Sequence, residues 1–577
     1  MKTIFCLFIF FILAHNQLFA QSTVEYDPYN MPKELTDSER LIMDQIGLNF
    51  TPTPPPSGTI RNISEFERNE AVLIRYTPQQ SGSLAWPLDL IASLSEQVKV
   101  VTIVATRNIQ SEAYSRFLQA GVNMDNVEFL RASTNSVWTR DYGPFYIADE
   151  NHQVSVVDFK YNRPRPLDDA IPTQLASKFD MPVYGMNIVH TGGNYMTDGH
   201  GISASTDLVY EENNFNESVV LQNMTNFLNI ETYHVTIDPQ DTYLKHIDTW
   251  SKFLDVDKIL IARVPPGNPQ YQEHEQVVAY FENQLSAWGT PYQIFRVDTP
   301  NGQPYTNSLI VNERVYVPLM NSTWDSAAID AYEEALPGYE ILGFTGNPGF
   351  NWQSTDALHC RVKEIPDRGM LHLSHTPYTG TYDYVSEKEF EIDIIPYSGE
   401  PVVADSLFLI YRFDEAPYDT LSLTQVDEHT FSASMPVLPD GGTVSYYFYA
   451  ADESGRKEHF PLIGKAGARS FEINATTVSA PQETPMSFTL TQNYPNPFNP
   501  STVIGYMIEE PGDVQLSVYN MLGQNVQSLV DAYQTPGEYS VTFNAEGLSS
   551  GIYIYRIAFN GDDSGLATQT KRMVLIR

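Results

Sequence analysis

Across residues 61–375 short apolar runs of β character alternate with amphipathic stretches of helical spacing. VKVVTIVAT (98–106) and ILIARV (259–264) are rich in β-branched residues and predict buried strands. SEAYSRFLQAG (111–121) and EHEQVVAYFENQLSAWG (273–289) carry apolar residues at helical spacing and predict helices, each ended by its glycine. Strand and helix taking turns implies an α/β domain. Past His375 the helical period stops. FEIDIIPY, SLFLIYRF, FSASMPV and VSYYFYAAD are short alternating runs divided by Pro, Gly and Asp. The chain from about Met486 onward is again all-β by pattern.

Strands at even spacing over roughly a hundred residues predict an immunoglobulin-like β-sandwich. A Thr/Ser/Pro/Gln-rich linker (476–485) follows it. At the other end, MKTIFCLFIFFILAHNQLFA (1–20) has a basic start, an apolar run and a small residue before Gln21, which predicts a cleaved secretory signal peptide. The run is shorter than the ~20 apolar residues of a comfortable membrane span. The leader or pro-segment that follows (21–58) ends in TPTPPPSG (51–58), an extended stretch expected to set it apart.

Composition changes this picture in two ways. Acidic residues number 71 against 34 basic, a net charge of −37, and such a surface repels nucleic acid and anionic membranes. The same charge either draws in cationic substrates or keeps an exported chain soluble. Of two cysteines, Cys6 leaves with the signal peptide and Cys360 remains. A lone thiol in an exported chain is either buried and inert or reactive on purpose.

Five polar islands beside turns surround that question: SVWTRDYGP (136–144), YNRPRPLDD (161–169), TGGNYMTDG (191–199), YLKHIDTWSKF (243–253) and STDALHCRVKEIP (354–366). A cysteine nucleophile needs a proton shuttle, for which His246 is the candidate. In an extended chain His246 and Asp248 point the same way, and Asp141 adds a second carboxylate. Two carboxylates, a His and a thiolate repel an ester or phosphate and suit a planar guanidinium cation, which carboxylates grip bidentately. A metal site on His190, Asp198, His200 and His246 is the other reading of these residue types, without a standard ligand spacing.

The RDYGP, GGN…DG, HID and HC elements, in this order, resemble the guanidine-modifying enzymes of the pentein fold, among them agmatine deiminases and bacterial peptidylarginine deiminases. The resemblance implies a five-bladed α/β propeller at 59–376, with the sandwich at 377–475. It also implies Cys360 as nucleophile, His246 as general acid/base, and Asp141 and Asp248 as guanidinium holders. Thr191 replaces the Glu usual in agmatine deiminases, and a Gly-rich run before the cysteine is missing. YNRPRPLDD instead resembles the bacterial peptidylarginine deiminase loop, which implies that Arg163 and Arg165 bind a substrate α-carboxylate. The bland reading pairs them with Asp168 and Asp169. Trp138, Tyr243, Asn307 and Thr355 complete the implied substrate-binding set, with no cofactor and no metal. The implied activity is hydrolysis of peptide arginine, above all C-terminal arginine, to citrulline and ammonia through a covalent adduct. Agmatine or free arginine as substrate, and a non-catalytic surface adhesin, are the alternatives.

NYPNPFNPST (493–502), SVYNMLGQNV (517–526), LSSGIYIYRI (548–557) and KRMVLIR (571–577) resemble the C-terminal sorting domain of the type IX secretion system, here 486–577. That implies secretion or attachment at the outer surface of a Gram-negative bacterium, with the type IX machinery as partner. No integral membrane part is expected.

Overall fold

The computed structural model describes residues 33–78, 86–347, 351–383, 387–436, 441–474, 488–508, 510–520, 524–561 and 565–576. The signal peptide expected at 1–20 and the linker expected at 476–485 lie outside the described residues. The chain divides into two compact units, Met1–Thr476 and Thr477–Arg577.

Between residues 60 and 366 the first unit holds five small sheets of one construction. In four of them a first strand runs antiparallel to a second, and a helix then carries the chain to a third strand parallel to the second. Phe145–Asp149, Val154–Tyr161 and Val183–His190 follow this plan, as do Met196–Thr197, Ile202–Thr206 and Thr232–Thr236. Ser251–Asp255, Lys258–Arg263 and Gln293–Asp298 form the next sheet, and Leu309–Val311, Arg314–Leu319 and Glu340–Thr345 the one after. The fifth sheet takes its first strand from the far end of the region. Val362–Pro366 pairs antiparallel with Asn69–Arg75, which continues in parallel to Lys99–Val104 and Val127–Arg131. The crossover helices are Leu88–Gln97, Ile171–Phe179, Glu217–Leu228, Tyr271–Glu282 and Asp325–Ala335. Each turns one apolar stripe onto its sheet, with Leu90, Ile91 and Leu94 of the first fully buried.

The expected strands at 98–106 and 259–264 are observed within a residue or two. Two helix expectations need correction. The helix expected at 111–121 begins earlier, at Arg107, because the Thr106 side chain caps it by accepting from Ile109 N–H. The helix expected to run to Gly289 stops at Glu282. There Gly289 closes a turn in which Ser286 N–H donates to Thr290 carbonyl, so that glycine belongs to a turn and not to a helix end.

The Pro-rich leader does not stand apart. Thr53 N–H donates to Gly185 carbonyl at 3.1 Å and Thr53 Oγ1 accepts from Gly185 N–H at 3.0 Å, docking the leader on the strand Val183–His190. Gly185 permits this approach, since a Cβ there would lie 2.1 Å from the Thr51 carbonyl oxygen.

Beyond residue 370 two sheets face each other. One holds Leu371–Ser374, Glu387–Pro396, Thr430–Pro436 and Thr424–Gln425; the other is built round Gly442–Ala451, flanked by Phe408–Phe413 and Arg469–Ile473. The alternation visible in the sequence supplies their shared core, with Phe390, Ile392, Leu409, Tyr446, Phe448 and Phe471 inside. This layer is bolted to the α/β part by ion pairs: Arg68 forks onto Glu458 (2.8 Å for both bonds) and Arg469 meets Asp255 at 2.6 Å. The second unit has its own core from a three-stranded and a four-stranded antiparallel sheet, including Leu516, Phe543, Tyr555 and Phe559.

Replacing Arg68 by Ala leaves the buried Glu458 carboxylate without its fork. We expect the first unit to lose about 2–3 kcal/mol, read as a lower urea midpoint. An unchanged midpoint would mean that apolar packing alone joins the sandwich to the α/β part.

Candidate active site

In each of the five sheets the loop leading into the first strand carries the chemistry. These loops are the short helix Thr139–Tyr142, the turns Gly192–Asn194, Ile247–Thr249 and His359–Arg361, and the bend around Asn307. Because the plan repeats, all five lie at equivalent ends of their sheets and meet. Their approach depends on the paired glycines. A Cβ on Gly192 would lie 2.1 Å from the Arg140 carbonyl oxygen, and one on Gly193 would lie 2.4 Å from His246 Nδ1 and 2.8 Å from Asp141 Oδ1. Asn194 Oδ1 then accepts from Thr206 and Ile247 N–H, which ties the HID turn in place.

His246 and Asp248 come near each other by a different route from that expected. His246 is extended, but Asp248 sits in a single tight turn, and the turn rather than strand alternation aims both side chains inward. His246 Nδ1 stands 3.4 Å from Asp141 Oδ1. Asn307 is the crosslink between loops: its Oδ1 accepts from Cys360 N–H at 3.3 Å and lies 3.5 Å from Cys360 Sγ, while its Nδ2 donates to Asp248 carbonyl at 3.4 Å. Trp138 packs on Cys360 and donates from Nε1 to Asp356 at 3.1 Å. Cys360 itself is 2% exposed.

Charge is distributed unevenly here. Burial, then Asp248 and Asp141, push the Cys360 thiol well above its ordinary value. Burial and then Asp248 push the Asp141 carboxyl well up, with Arg163 pulling it back in part. Burial takes His246 down to about 3, so its ring is neutral. Asp141 Oδ1, Asp248 Oδ1 and both ring nitrogens of His246 are buried and have no hydrogen-bond partner among the described residues. Such groups are costly unless something fills the space between them.

Behind the pocket lies a cluster that the sequence reading missed. His359 bridges Asp248 Oδ2 and Glu65 Oε2, both at 2.6 Å. Glu65 also meets Lys252 at 2.7 Å and Arg140 at 3.2 Å, and Arg140 reaches Glu364 at 2.6 Å. Burial works against the charge of Glu65, but Lys252, His359 and Arg140 outweigh it and hold the carboxyl well below the usual range. Arg140 and His359 each adjoin a singled-out residue in sequence; Glu65, nearly three hundred residues from His359, had no such signal.

Residues 61–366 match the Porphyromonas-type peptidyl-arginine deiminase family. That match spans more than half of the 577 residues. The chain belongs to this family. Residues 492–574 match the secretion system C-terminal sorting domain, so this is a deiminase of the peptidyl-arginine and agmatine type with a type IX sorting tail, secreted or attached at the outer surface. A relative from Shewanella putrefaciens, provisionally named an agmatine deiminase, is 22% identical over 291 residues, covering 42% of this chain and 76% of its own. Among solved structures, the agmatine deiminase of Enterococcus faecalis is 16% identical with a TM-score of 0.47, covering 55% of this chain and 100% of its own. The agmatine deiminase of C. jejuni is 19% identical with a TM-score of 0.44, covering 53% and 96%. Among the described residues no helix is long and apolar enough to cross a membrane.

In this deiminase the remaining expected residues divide. Arg163 is half-buried and close enough to draw on Asp141 and His246. Arg165 is not open: it is 1% exposed, lies over the Trp138 ring at 5.5 Å and binds Glu39 of the leader. Asp168, a partner of the bland reading, lies in the field of Arg165 and accepts from the backbone N–H groups of Asn135 and Ser136, while Asp169 accepts from Tyr161 N–H. Tyr243 is half-exposed at the rim and hydrogen-bonds Thr355, whose carbonyl lies 4.0 Å from Cys360 Sγ. His190, Asp198, His200 and His246 do not form a ligand cluster; His190 bonds Tyr233, and Asp198 accepts from two backbone N–H groups.

Removing a neighbouring negative charge favours a thiolate. Asp248→Asn should therefore lower the midpoint of the iodoacetamide alkylation rate of Cys360 against pH. An unmoved curve would place the thiol outside the field of Asp248.

Proposed function

We propose that this deiminase hydrolyses the guanidinium of peptide arginine, preferring C-terminal arginine, to citrulline and ammonia. The observation that carries the reading is the set of buried, unpartnered groups around the thiol: Asp141 Oδ1, Asp248 Oδ1 and both nitrogens of His246. A planar cation satisfies both carboxylates at once and places its electrophilic carbon against sulfur. Its positive charge also offsets the carboxylates that hold Cys360 protonated, so the nucleophile is released by substrate binding.

The proton inventory closes with one histidine. The Cys360 proton passes to neutral His246 as Sγ bonds to the guanidinium carbon, and His246 passes it to the departing nitrogen as the C–N bond breaks and ammonia leaves. Water then adds to the same carbon, giving a proton to His246. The C–S bond breaks, the urea carbonyl forms as its hydroxyl proton is released to solvent, where it converts the ammonia to ammonium, and His246 returns its own proton to sulfur. No residue on this route ends in a changed state. Asp141 and Asp248 hold the nitrogens throughout, with Trp138, Tyr243 and Thr355 around the substrate arm and Arg163 and Arg165 toward its carboxylate. Agmatine, the substrate in the relatives' names, lacks that carboxylate and is the second reading. In the same reading the five like sheets are the pentein propeller (59–376), the two facing sheets are the immunoglobulin-like layer (377–475), and residues 1–20 are the signal peptide.

Citrulline release from a peptide ending in arginine, the same peptide amidated, and agmatine tests this, beside Cys360→Ala. Highest kcat/KM on the free carboxylate, abolished in Cys360→Ala, is expected. Preference for agmatine transfers the chain to the second reading, and no citrulline from any substrate overturns deimination. His359→Gln, which loosens the support of Asp248, should lower kcat/KM by up to about 100-fold and displace the pH profile. A lower melting temperature with an unmoved profile would make His359 structural.

A further inference from the structure

The leader does more than pack on the α/β part. Its first described residues, 33–40, span the two sides of the Cys360 and Trp138 contact. At one end Lys33 Nζ donates to Gln353 at 2.8 Å and lies 3.5 Å from both Asp356 and Thr355 Oγ1. Asp356 in turn holds Trp138, and the Thr355 carbonyl faces Cys360 Sγ. At the other end Glu39, fully buried on a helix of only four residues, accepts from Arg165 Nε at 2.7 Å and from a second guanidinium nitrogen at 3.4 Å.

Glu39 is presented to Arg165 by local chemistry. Thr36 and Glu39 form a reciprocal capping box: Glu39 N–H donates to Thr36 Oγ1 at 3.1 Å and Thr36 N–H to Glu39 Oε2 at 2.8 Å. Burial raises the Glu39 carboxyl, but the Arg165 guanidinium and the Thr36 bonds outweigh it and keep the group ionised. A buried carboxylate forked on a buried guanidinium, above a tryptophan that touches the thiol, is what a bound carboxylate would look like. Its neighbours Arg40 and Leu41 are exposed, Leu41 by 83%, so the helix is held by this one inward-facing group rather than by an apolar face.

We infer that residues 33–40 are an intramolecular occupant of the carboxylate side of the active site, with Glu39 standing where a peptide's terminal carboxylate must go. The inference rests on reading Arg165 as a substrate-carboxylate group. The docked stretch around Thr53 tethers the occupant, and a tethered group competes at an effective concentration near millimolar for short flexible linkers. A peptide ending in arginine therefore has to displace Glu39 from Arg165 before its own carboxylate can pair there. The leader thus lowers apparent affinity for carboxylate-ended substrates without touching the reacting atoms, and any event that loosens it raises activity.

The test uses the full mature chain. Glu39→Gln keeps the shape and removes the charge. We expect kcat/KM for a peptide ending in Gly-Gly-Arg with a free carboxylate to rise about tenfold, a typical consequence of losing one charge-assisted fork. The gain should come through KM, and it should be smaller for the amidated peptide and for agmatine. Lys33→Gln loosens the other end without touching Arg165 and should act in the same direction more weakly; it decides the matter if Glu39→Gln folds poorly. Hydrogen exchange gives a second readout: the amides of residues 36–42 should exchange faster in Glu39→Gln, and also when the free-carboxylate peptide is added to Cys360→Ser. Unchanged KM in both variants, or exchange at 36–42 that the peptide does not alter, overturns the inference. Failure of the deiminase reading looks different. No substrate then yields citrulline in any variant while Glu39→Gln still speeds exchange, which would make the leader a structural clasp and end the case for inhibition.

Discussion

Two carboxylates and a thiol are buried together at the meeting point of five loops, and this like-charge burial is the constraint to which the rest of the first unit answers. Asp141 and Asp248 each raise the energy of ionising Cys360, and Asp248 does the same to Asp141. Left alone, such a centre would protonate or take up water. Cations behind it prevent collapse of that arrangement. His359 takes one oxygen of Asp248, and Lys252 and Arg140 neutralise Glu65, which anchors the other side of His359. Asp141 Oδ1 and Asp248 Oδ1 are left without a hydrogen-bond partner among the described residues.

The loops can carry this burden because they are short and tightly fixed. Gly192 and Gly193 admit backbone and imidazole at distances that any side chain would forbid. Asn307 joins the Cys360 loop to the Asp248 loop through three contacts made by the two polar groups of one small side chain. Strands of the repeated plan stand directly behind each loop, so the site is built on the ends of rigid elements. Closure of the region by pairing Val362–Pro366 with Asn69–Arg75 brings the Cys360 loop, last in sequence, back to the first strands.

The leader adds a second layer of charge matching. It meets the site with a lysine at one end and a glutamate at the other, and both are met by complementary groups that belong to the site itself. A segment expected to be set apart by prolines is instead held along the α/β surface, since Thr53 offers its N–H and its hydroxyl oxygen to Gly185 of the Val183–His190 strand.

Much of this was legible in the chain alone. Periodicity separated the α/β region from the β-rich remainder, and the polar islands named Asp141, His246, Asp248 and Cys360, because residue type and turn chemistry are local properties; Asn307 came only from the family resemblance. The four C-terminal strings marked the sorting tail for the same reason. What the sequence could not decide were relations between residues far apart. Glu65 beneath His359, Glu39 upon Arg165 and Arg68 upon Glu458 join positions 294, 126 and 390 residues apart. Local pattern carries no record of such pairs, since each charged residue taken singly looks like a solvated surface group. Tertiary structure assigned them by excluding water: once the five loops and the leader are packed, every buried charge has to find its partner across the fold, and those pairings decide which groups remain free to meet a substrate.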